Sequence, residues 1–118
     1  MAFLQSIVTA LKQAGLTAYT ERALYENPIP LLPEYVAVGI VGGGHGALRL
    51  RFRIYGDRGC EPDSLTAVWE REIVPVLRQT GLTVGIVKLS ELRYDSTLDR
   101  ALREAEIIVP ARLAGSGA

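Results

Sequence analysis

A glycine-rich cluster, Gly42–Gly46, is followed by arginines at every second position from 49 to 53. Glycine-rich loops cradle phosphates in nucleotide-binding proteins, and a row of arginines can follow a nucleic-acid backbone. A phosphate-binding loop, however, opens a helix, whereas Ala47-Leu48-Arg49 opens the alternating pattern of a strand. The cluster therefore predicts the turn of a β-hairpin, and it disfavours nucleotide binding.

The arginine row allows three interpretations. Arg49, Arg51 and Arg53 alternate with apolar residues, so a strand would project them from one face at spacings of about 7 Å. They could be paired surface charges, a contact for a protein partner, or a track for phosphates. Glu104 and Glu106 share the two-residue spacing and would neutralise the row from an adjacent strand. Paired surface charge is therefore the favoured interpretation.

Other residue types with catalytic potential are few and scattered. The lone cysteine, Cys60, is far in sequence from the lone histidine, His45, so nothing supports a catalytic pair. A single cysteine fits a reducing cytoplasm. Asp57, Glu61 and Asp63 share one turn-rich stretch, but their order does not match a calcium-binding loop. No catalytic, cofactor-binding or metal-binding residue is predicted, and an enzyme is disfavoured. A small ligand-binding or enzymatic domain that uses residues 57–63 stays as an alternative.

Length and charge limit the possible classes further. The chain has 118 residues, of which 48% are hydrophobic, and this supports one domain with a real core. Basic and acidic residues number 13 each, so there is no general attraction to nucleic acid or to anionic lipid. No apolar run is long enough for a membrane span. The sequence predicts a single α+β domain over residues 1–113 and a disordered tail over 114–118.

The first half of the chain shows a helix, a short strand and a proline-rich connection. The helix ends at Gly15, and its apolar stripe comprises Phe3, Leu4, Ile7, Val8 and Leu11. A strand is predicted over Thr17–Thr20. Three prolines between Glu26 and Glu34 exclude an interior strand or helix there, yet the segment carries Ile29, Leu31 and Leu32. It is either a loop over the domain's own core or an apolar arm that docks on a neighbouring subunit.

The remaining elements follow from periodicity. Strands at Tyr35–Val41 and Leu48–Tyr55 form the hairpin. A helix starts at Pro62, with Asp63 or Ser64 as its cap, is kinked by Pro75, and ends at Gly81. Its apolar face comprises Leu65, Val68, Trp69, Ile73, Val76 and Leu77. A strand is predicted over residues 82–92 and a turn over 94–97. Residues 98–106 fit a helix, and residues 101–109 fit a strand.

This order of elements resembles the tail terminator, or tail completion, proteins of tailed bacteriophages and prophages. The likeness spans nearly the whole chain and consists of hydrophobic patterns and turns without a catalytic signature. The glycine-rich tip, Gly42–Gly46, departs from the family. The matching features are the helix Phe3–Lys12 ending at Gly15, the junction Leu32–Val38, the strand Leu48–Tyr55 leading into Gly56-Asp57, the helix Leu65–Leu77, and Arg93-Tyr94-Asp95 before a charged final segment.

The resemblance implies a mixed, mostly antiparallel sheet of four to five strands with two main helices packed on it, and it favours a strand over residues 101–109. It also implies six copies in a ring that caps the tail tube and meets the head–tail connector protein. No cofactor, nucleic acid or membrane is required. Such a protein would be cytoplasmic during assembly and later part of a virion or tail-like particle. A head–tail connector or stopper component is an alternative.

A closed ring requires two different surfaces that fit one another. The predicted donor is the apolar arm, and the arginine face and hairpin tip are predicted to contact a neighbouring subunit or the tube. The candidate interface residues are therefore Ile29, Leu31, Leu32, His45, Arg49, Arg51 and Arg53.

Overall fold

The computed structural model describes residues 2–26 and 34–112, and within them five strands form one mixed sheet. The predicted α+β class, with two main helices on the sheet, is confirmed. The candidate arm residues Ile29, Leu31 and Leu32 and the predicted tail 114–118 lie outside the described residues. The elements in chain order are α1 (Ala2–Gln13), β1 (Ala18–Thr20), α2 (Glu21–Glu26), β2 (Tyr35–Gly44), β3 (Ala47–Gly56), α3 (Pro62–Ala67), a π-helical segment (Val68–Ile73), α4 (Val74–Gln79), β4 (Arg93–Asp95) and β5 (Arg100–Pro110).

The strand order is β1-β2-β3-β5-β4, with β3 at the centre. The β1–β2 pair is parallel and the other three pairs are antiparallel. On the core face of β3, every buried side chain is apolar. Phe52 on this face packs on Trp69, with the ring centroids 5.4 Å apart. The helices α1, α3 and α4 thus share one core with the sheet. Its largest members from β3 are Leu50, Phe52 and Ile54.

The first helix follows its predicted stripe. Phe3, Ile7, Val8 and Leu11 are buried, and Leu4 is half-buried. Gly15 has a φ of +94°, and the Leu16 amide donates to the Leu11 carbonyl at 3.0 Å. This left-handed ending satisfies a carbonyl that the last turn would otherwise leave open.

The second helical run spans residues 62–79 and changes its winding before Pro75. The Val74 amide donates to the Trp69 carbonyl, five residues back, at the end of the π-helical segment. Pro75 supplies no N–H, and the wider turn accommodates this without ending the helix. The predicted kink at Pro75 thus takes the form of a π-helical segment ahead of the proline, in a run that continues to Gln79. The predicted caps are wrong, because Glu61 occupies the N-cap position and Ser64 donates its hydroxyl to the Glu61 carbonyl at 2.7 Å.

The predicted strand over residues 82–92 is wrong. Leu82, Val84 and Leu89 are buried in the core, which produces the apolar pattern, but the segment contains no strand. The nearby strand is β4, at 93–95, so the turn lies at 96–99 instead of 94–97. In that turn the Asp95 carboxylate accepts hydrogen bonds from the amides of residues 97 and 98. The apolar pattern of residues 82–92 therefore reflects the burial of side chains and not the pairing of the backbone in a sheet.

The final segment is β5, so the strand prediction is confirmed and the helix over 98–106 is excluded. The short helix α2 was not predicted. It starts where Thr20 Oγ1 accepts a hydrogen bond from the Ala23 amide at 3.1 Å, an arrangement typical of an N-cap threonine. This helix lies on the sheet face opposite α1. A second, smaller apolar cluster forms on that face from Leu24, Tyr35, Ala37, Tyr55, Leu98 and Leu102.

The hairpin turn is shorter than predicted. Only His45 and Gly46 form it, with φ angles of 52° and 76°, while Gly42, Gly43 and Gly44 belong to β2. Positive φ at both central residues is the type I′ geometry that matches the twist of the flanking strands. The β2–β3 register shifts between Ile40 and Gly42, so Val41 forms a bulge.

The turn geometry makes two neighbouring glycines unequal. We expect Gly46→Ala to lower the free energy of unfolding by about 1–2 kcal/mol, because an alanine is strained at positive φ. Gly44→Ala is the matched control, since a Cβ at either site would contact nothing within 4 Å, and Gly44 has no positive φ. Urea unfolding of both variants measures the difference. Equal costs would contradict the assigned turn.

Candidate subunit interface

The arginine row lies on the outer face of β3, opposite the core. Arg53 is paired in register with Glu104 of β5, and its Nε lies 2.9 Å from Glu104 Oε2. Arg51 Nε lies 3.7 Å from the same oxygen. The predicted neutralisation by the β5 glutamates is therefore confirmed at these two arginines.

A further carboxylate, not predicted, completes the pairing. Glu21 of α2 accepts two hydrogen bonds from Arg51, from Nε at 2.8 Å and from Nη2 at 3.0 Å. Arg53 Nε lies 3.6 Å from Glu21 Oε1, and Arg93 of β4 pairs with Glu104. We call Glu21, Arg51, Arg53, Arg93 and Glu104 the outer ion cluster. The hydrogen bond to Glu21 raises the pKa of Arg51, so this guanidinium stays charged.

Except for Arg93, whose side chain is half exposed, the outer ion cluster is largely withdrawn from solvent. The side chains of Arg51 and Arg53 are only 25% and 22% exposed, and that of Glu104 is 13% exposed. Paired guanidinium groups at this depth offer little field to a phosphate backbone, because the carboxylates cancel their charge at contact distance. The predicted interface role of Arg51 and Arg53 is not supported by their positions.

Gly39 makes room for the outer ion cluster. It lies in β2 beside Arg51 in register, and the Glu21 carboxylate occupies the place where its side chain would be. A Cβ at Gly39 would overlap the carboxylate and lie 3.0 Å from Glu21 Cγ. The missing side chain therefore allows α2 to reach the centre of the sheet.

The other two described candidates are exposed. Arg49 lies toward the hairpin tip, 3.6 Å from Glu106, with its guanidinium above Gly42. His45 is exposed in the turn itself. Cys60 lies beside Gly56 at the other end of β3, so about 30 Å of strand separates it from the tip. The structure thus excludes a pair between this cysteine and His45.

One of the loop carboxylates around residue 60 connects the loop to the sheet. Asp57 accepts a hydrogen bond from Arg100 at 3.0 Å and thereby ties the loop to β5. Burial and the nearby Asp57 charge raise the pKa of the Cys60 thiol, which disfavours the reactive thiolate. Within residues 2–26 and 34–112, no group of three His, Cys, Asp or Glu side chains could hold a metal ion.

The exposed apolar side chains are concentrated along the edge of the sheet that β5 and β4 form. Among the described residues, the exposed large hydrophobic side chains all belong to β4, β5 or the segment before β4. Ile86 is fully exposed and Ile108 is 67% exposed. The others are Leu92 and Tyr94. Sequence reasoning missed this surface, although the run Ile107-Ile108-Val109 interrupts the alternation and forces one apolar residue outward.

The same side of the sheet has unpaired backbone. The strand β4 pairs only with residues 100–102 of β5, and Ser90 then takes over at Glu104, with N–H···O and N–H···Oγ bonds of 2.8 and 2.9 Å. Because outward-pointing backbone groups alternate along a strand, those of Glu106 and Ile108 also point away from β3. No described residue bonds to them.

A pocket of about 420 Å³ lies beside this edge. It separates residues 86–90 from β5 and is lined by Ile86, Val87, Lys88, Ser90, Arg93, Glu104 and Glu106. We call this feature the β5 edge groove. It combines free backbone donors and acceptors with the apolar side chains of Ile86 and Val87 on one wall and with charged side chains on the other. Free backbone groups at a sheet edge are what an added strand pairs with.

No protein-family model matches the sequence, and a search of curated proteins found none similar to it. None of the helices in the described part of the chain is long and apolar enough to cross a membrane.

The packing of Glu21 on Gly39 predicts that substitutions at these two positions have strongly non-additive effects on the free energy of unfolding. We expect Gly39→Ala to lower the free energy of unfolding by about 1–3 kcal/mol, because the displaced carboxylate leaves Arg51 half-buried without its main partner. In a Glu21→Ala background the same change should cost almost nothing, since the obstacle is gone. Urea unfolding of the four proteins in this cycle gives the coupling. An equal cost in both backgrounds would place the conflict elsewhere.

Proposed function

We propose that this chain is a structural subunit of a tailed-phage or prophage particle: a tail terminator that closes into a ring on the tail tube. The resemblance in the order of its elements supplies the family. The carrying observation is the coincidence of exposed apolar side chains and unpaired backbone along the β5 edge groove. Such a coincidence is costly for an isolated chain and favourable for one that binds a protein neighbour.

The charge distribution supports the same proposal. Net charge is zero, and the densest group of arginines is engaged with Glu21 and Glu104 in the outer ion cluster. Binding to a nucleic acid would need free cationic groups along a face. Contact with proteins needs shape and apolar area, which the β5 side provides. Function through assembly is therefore better supported than function through electrostatic capture.

The two sides of the sheet differ, as a ring requires. A closed ring uses a heterologous contact, in which one surface of each copy meets a different surface of the next. The apolar β5 side supplies one surface. The opposite edge, formed by β1 and the glycine-rich end of β2, has no comparable apolar side chains among the described residues. The partners proposed are thus further copies of the chain, the tail tube protein and the head–tail connector protein.

The hairpin tip is proposed to contact the tube or the connector. His45 and Arg49 are both exposed there. A ring subunit of this kind would assemble in the cytoplasm and remain in the finished particle.

Light scattering on a sizing column tests the assembly. We expect a fixed multiple of the chain mass, with six copies anticipated from the resemblance. Ile86→Ser should reduce the assembled fraction while leaving the free energy of unfolding within about 0.5 kcal/mol, because the side chain is fully exposed in a single subunit. Arg22→Ser is the control, since the Arg22 side chain is also largely exposed, at 87%, but lies on α2.

The tube provides the functional readout. Added to the tail tube protein of the same particle as it polymerises, the wild-type chain should shorten the tubes, and Ile86→Ser should shorten them less. A chain that stays monomeric at every concentration and leaves tube length unchanged would contradict the proposal. Saturable binding of a small molecule would then favour the ligand-binding alternative.

A further inference from the structure

We propose that neighbouring copies join their sheets edge to edge, with the open edge of β5 in one copy pairing with the open edge of β2 in the next. This inference rests on the proposed ring function and names the contact that closes it. The occupant of the β5 edge groove is therefore a glycine-rich strand of a second copy.

The donor edge is the part of β2 that extends beyond β1. The strand β1 pairs with residues 36–38 only, and the Val36 amide donates outward to the Thr17 carbonyl at 3.0 Å. By alternation, the backbone of Ile40 also points outward, and after the bulge at Val41 that of Gly43 does so. No described residue pairs with this stretch.

The glycines of β2 make the edge narrow. Gly42, Gly43 and Gly44 carry no side chains, so the strand can approach another backbone closely over three residues. The β5 edge groove lies between two walls, residues 86–90 and β5 itself. A bare strand fits between such walls more readily than one with branched side chains. The hairpin itself requires Gly43, since a Cβ there would lie 2.8 Å from the Ala47 carbonyl oxygen, whereas a Cβ at Gly44 would meet nothing within 4 Å. Edge pairing accounts for a glycine at position 44 as well.

The two open edges, on β2 and on β5, lie at the same position along the direction of the strands. Across β3, Gly39 and Glu106 flank Arg51, and Gly42 and Ile108 flank Arg49. The strands β2 and β5 are parallel to each other, because each is antiparallel to β3. Rotation about an axis along the strands, without translation, therefore carries the β2 edge of one copy beside the β5 edge of its neighbour. A contact without rise closes into a ring when its rotation divides a full turn, whereas one with rise gives a filament.

The length of the contact is limited on both strands. Pro110 ends the β5 edge because it has no N–H, and the Val41 bulge interrupts β2. Only a few backbone bonds form, flanked by Ile86 and Ile108. Short edges of this kind resist open-ended aggregation while allowing one specific partner.

Cysteine cross-linking tests the pairing directly. In a Cys60→Ser background, Gly42→Cys is made in one protein and Ile108→Cys in another, and the two are mixed under mild oxidation. Each protein then carries a single cysteine, so every disulfide that forms joins two chains. We expect the mixed dimer in clear excess over both homodimers. Dominant Ile108→Cys homodimers, or no mixed dimer up to the solubility limit, would overturn the inference.

Two substitutions at Ile108 distinguish backbone pairing from side-chain contact. Ile108→Pro removes an N–H that points away from β3, and it should lower the association constant by about tenfold or more, as expected for a lost backbone hydrogen bond. Ile108→Ala keeps the N–H and is the matched control, with a smaller loss. Equal losses would contradict edge pairing. Urea unfolding checks that both variants fold.

The ring and its contact can fail separately. If the wild-type chain forms rings and shortens tubes but yields no mixed disulfide, the edge contact is wrong and the ring function stands. If it forms neither rings nor mixed disulfides, both proposals are wrong.

Discussion

The two-faced central strand β3 is the constraint on which the other features depend. It is hydrogen-bonded to a strand on each side, so its alternating apolar and charged side chains must face two different environments. Phe52 and its apolar neighbours meet Trp69 and the helices, while Arg51 and Arg53 face the other way. Arginines at the centre of a sheet lose water, and this cost is offset only if carboxylates lie within hydrogen-bonding distance. The fold therefore had to bring acidic groups to this face from outside β3.

Two separate parts of the chain meet that requirement. Glu104 arrives by strand pairing, and Glu21 arrives on α2, which can lie close to the sheet because Gly39 has no side chain. The charges of Arg51 and Arg53, which look basic in the sequence, are consequently matched by those of Glu21 and Glu104. Because these arginines are paired, they offer little free charge to a binding partner. The exposed apolar side chains on the β5 side are then the surface best suited to bind another protein.

Local periodicity predicted what is local. The stripe of α1, the apolar face around Trp69 and the alternation of β3 all identified buried faces correctly. Periodicity does not identify pairing partners, and for that reason residues 82–92, buried but unpaired, were predicted as a strand. Glu21 was missed because its partner Arg51 is 30 residues away, and no local pattern links them. The open edges were missed for the same reason, because an edge is defined by where neighbouring strands stop.

The pairing of the sheet is uneven from one end to the other. Both edge strands, β1 and β4, are three residues long and lie toward the end where Tyr35 stacks on Tyr55. At that end β1 and β4 cover β2 and β5, and the smaller apolar cluster lies there, while at the hairpin end β2 and β5 have no outer neighbours among the described residues. The open edges of β2 and β5 therefore both lie at the hairpin end. Copies joined there would be fixed to one another near His45 and left free near the aromatic cluster, so the hairpin end would set the diameter of a ring.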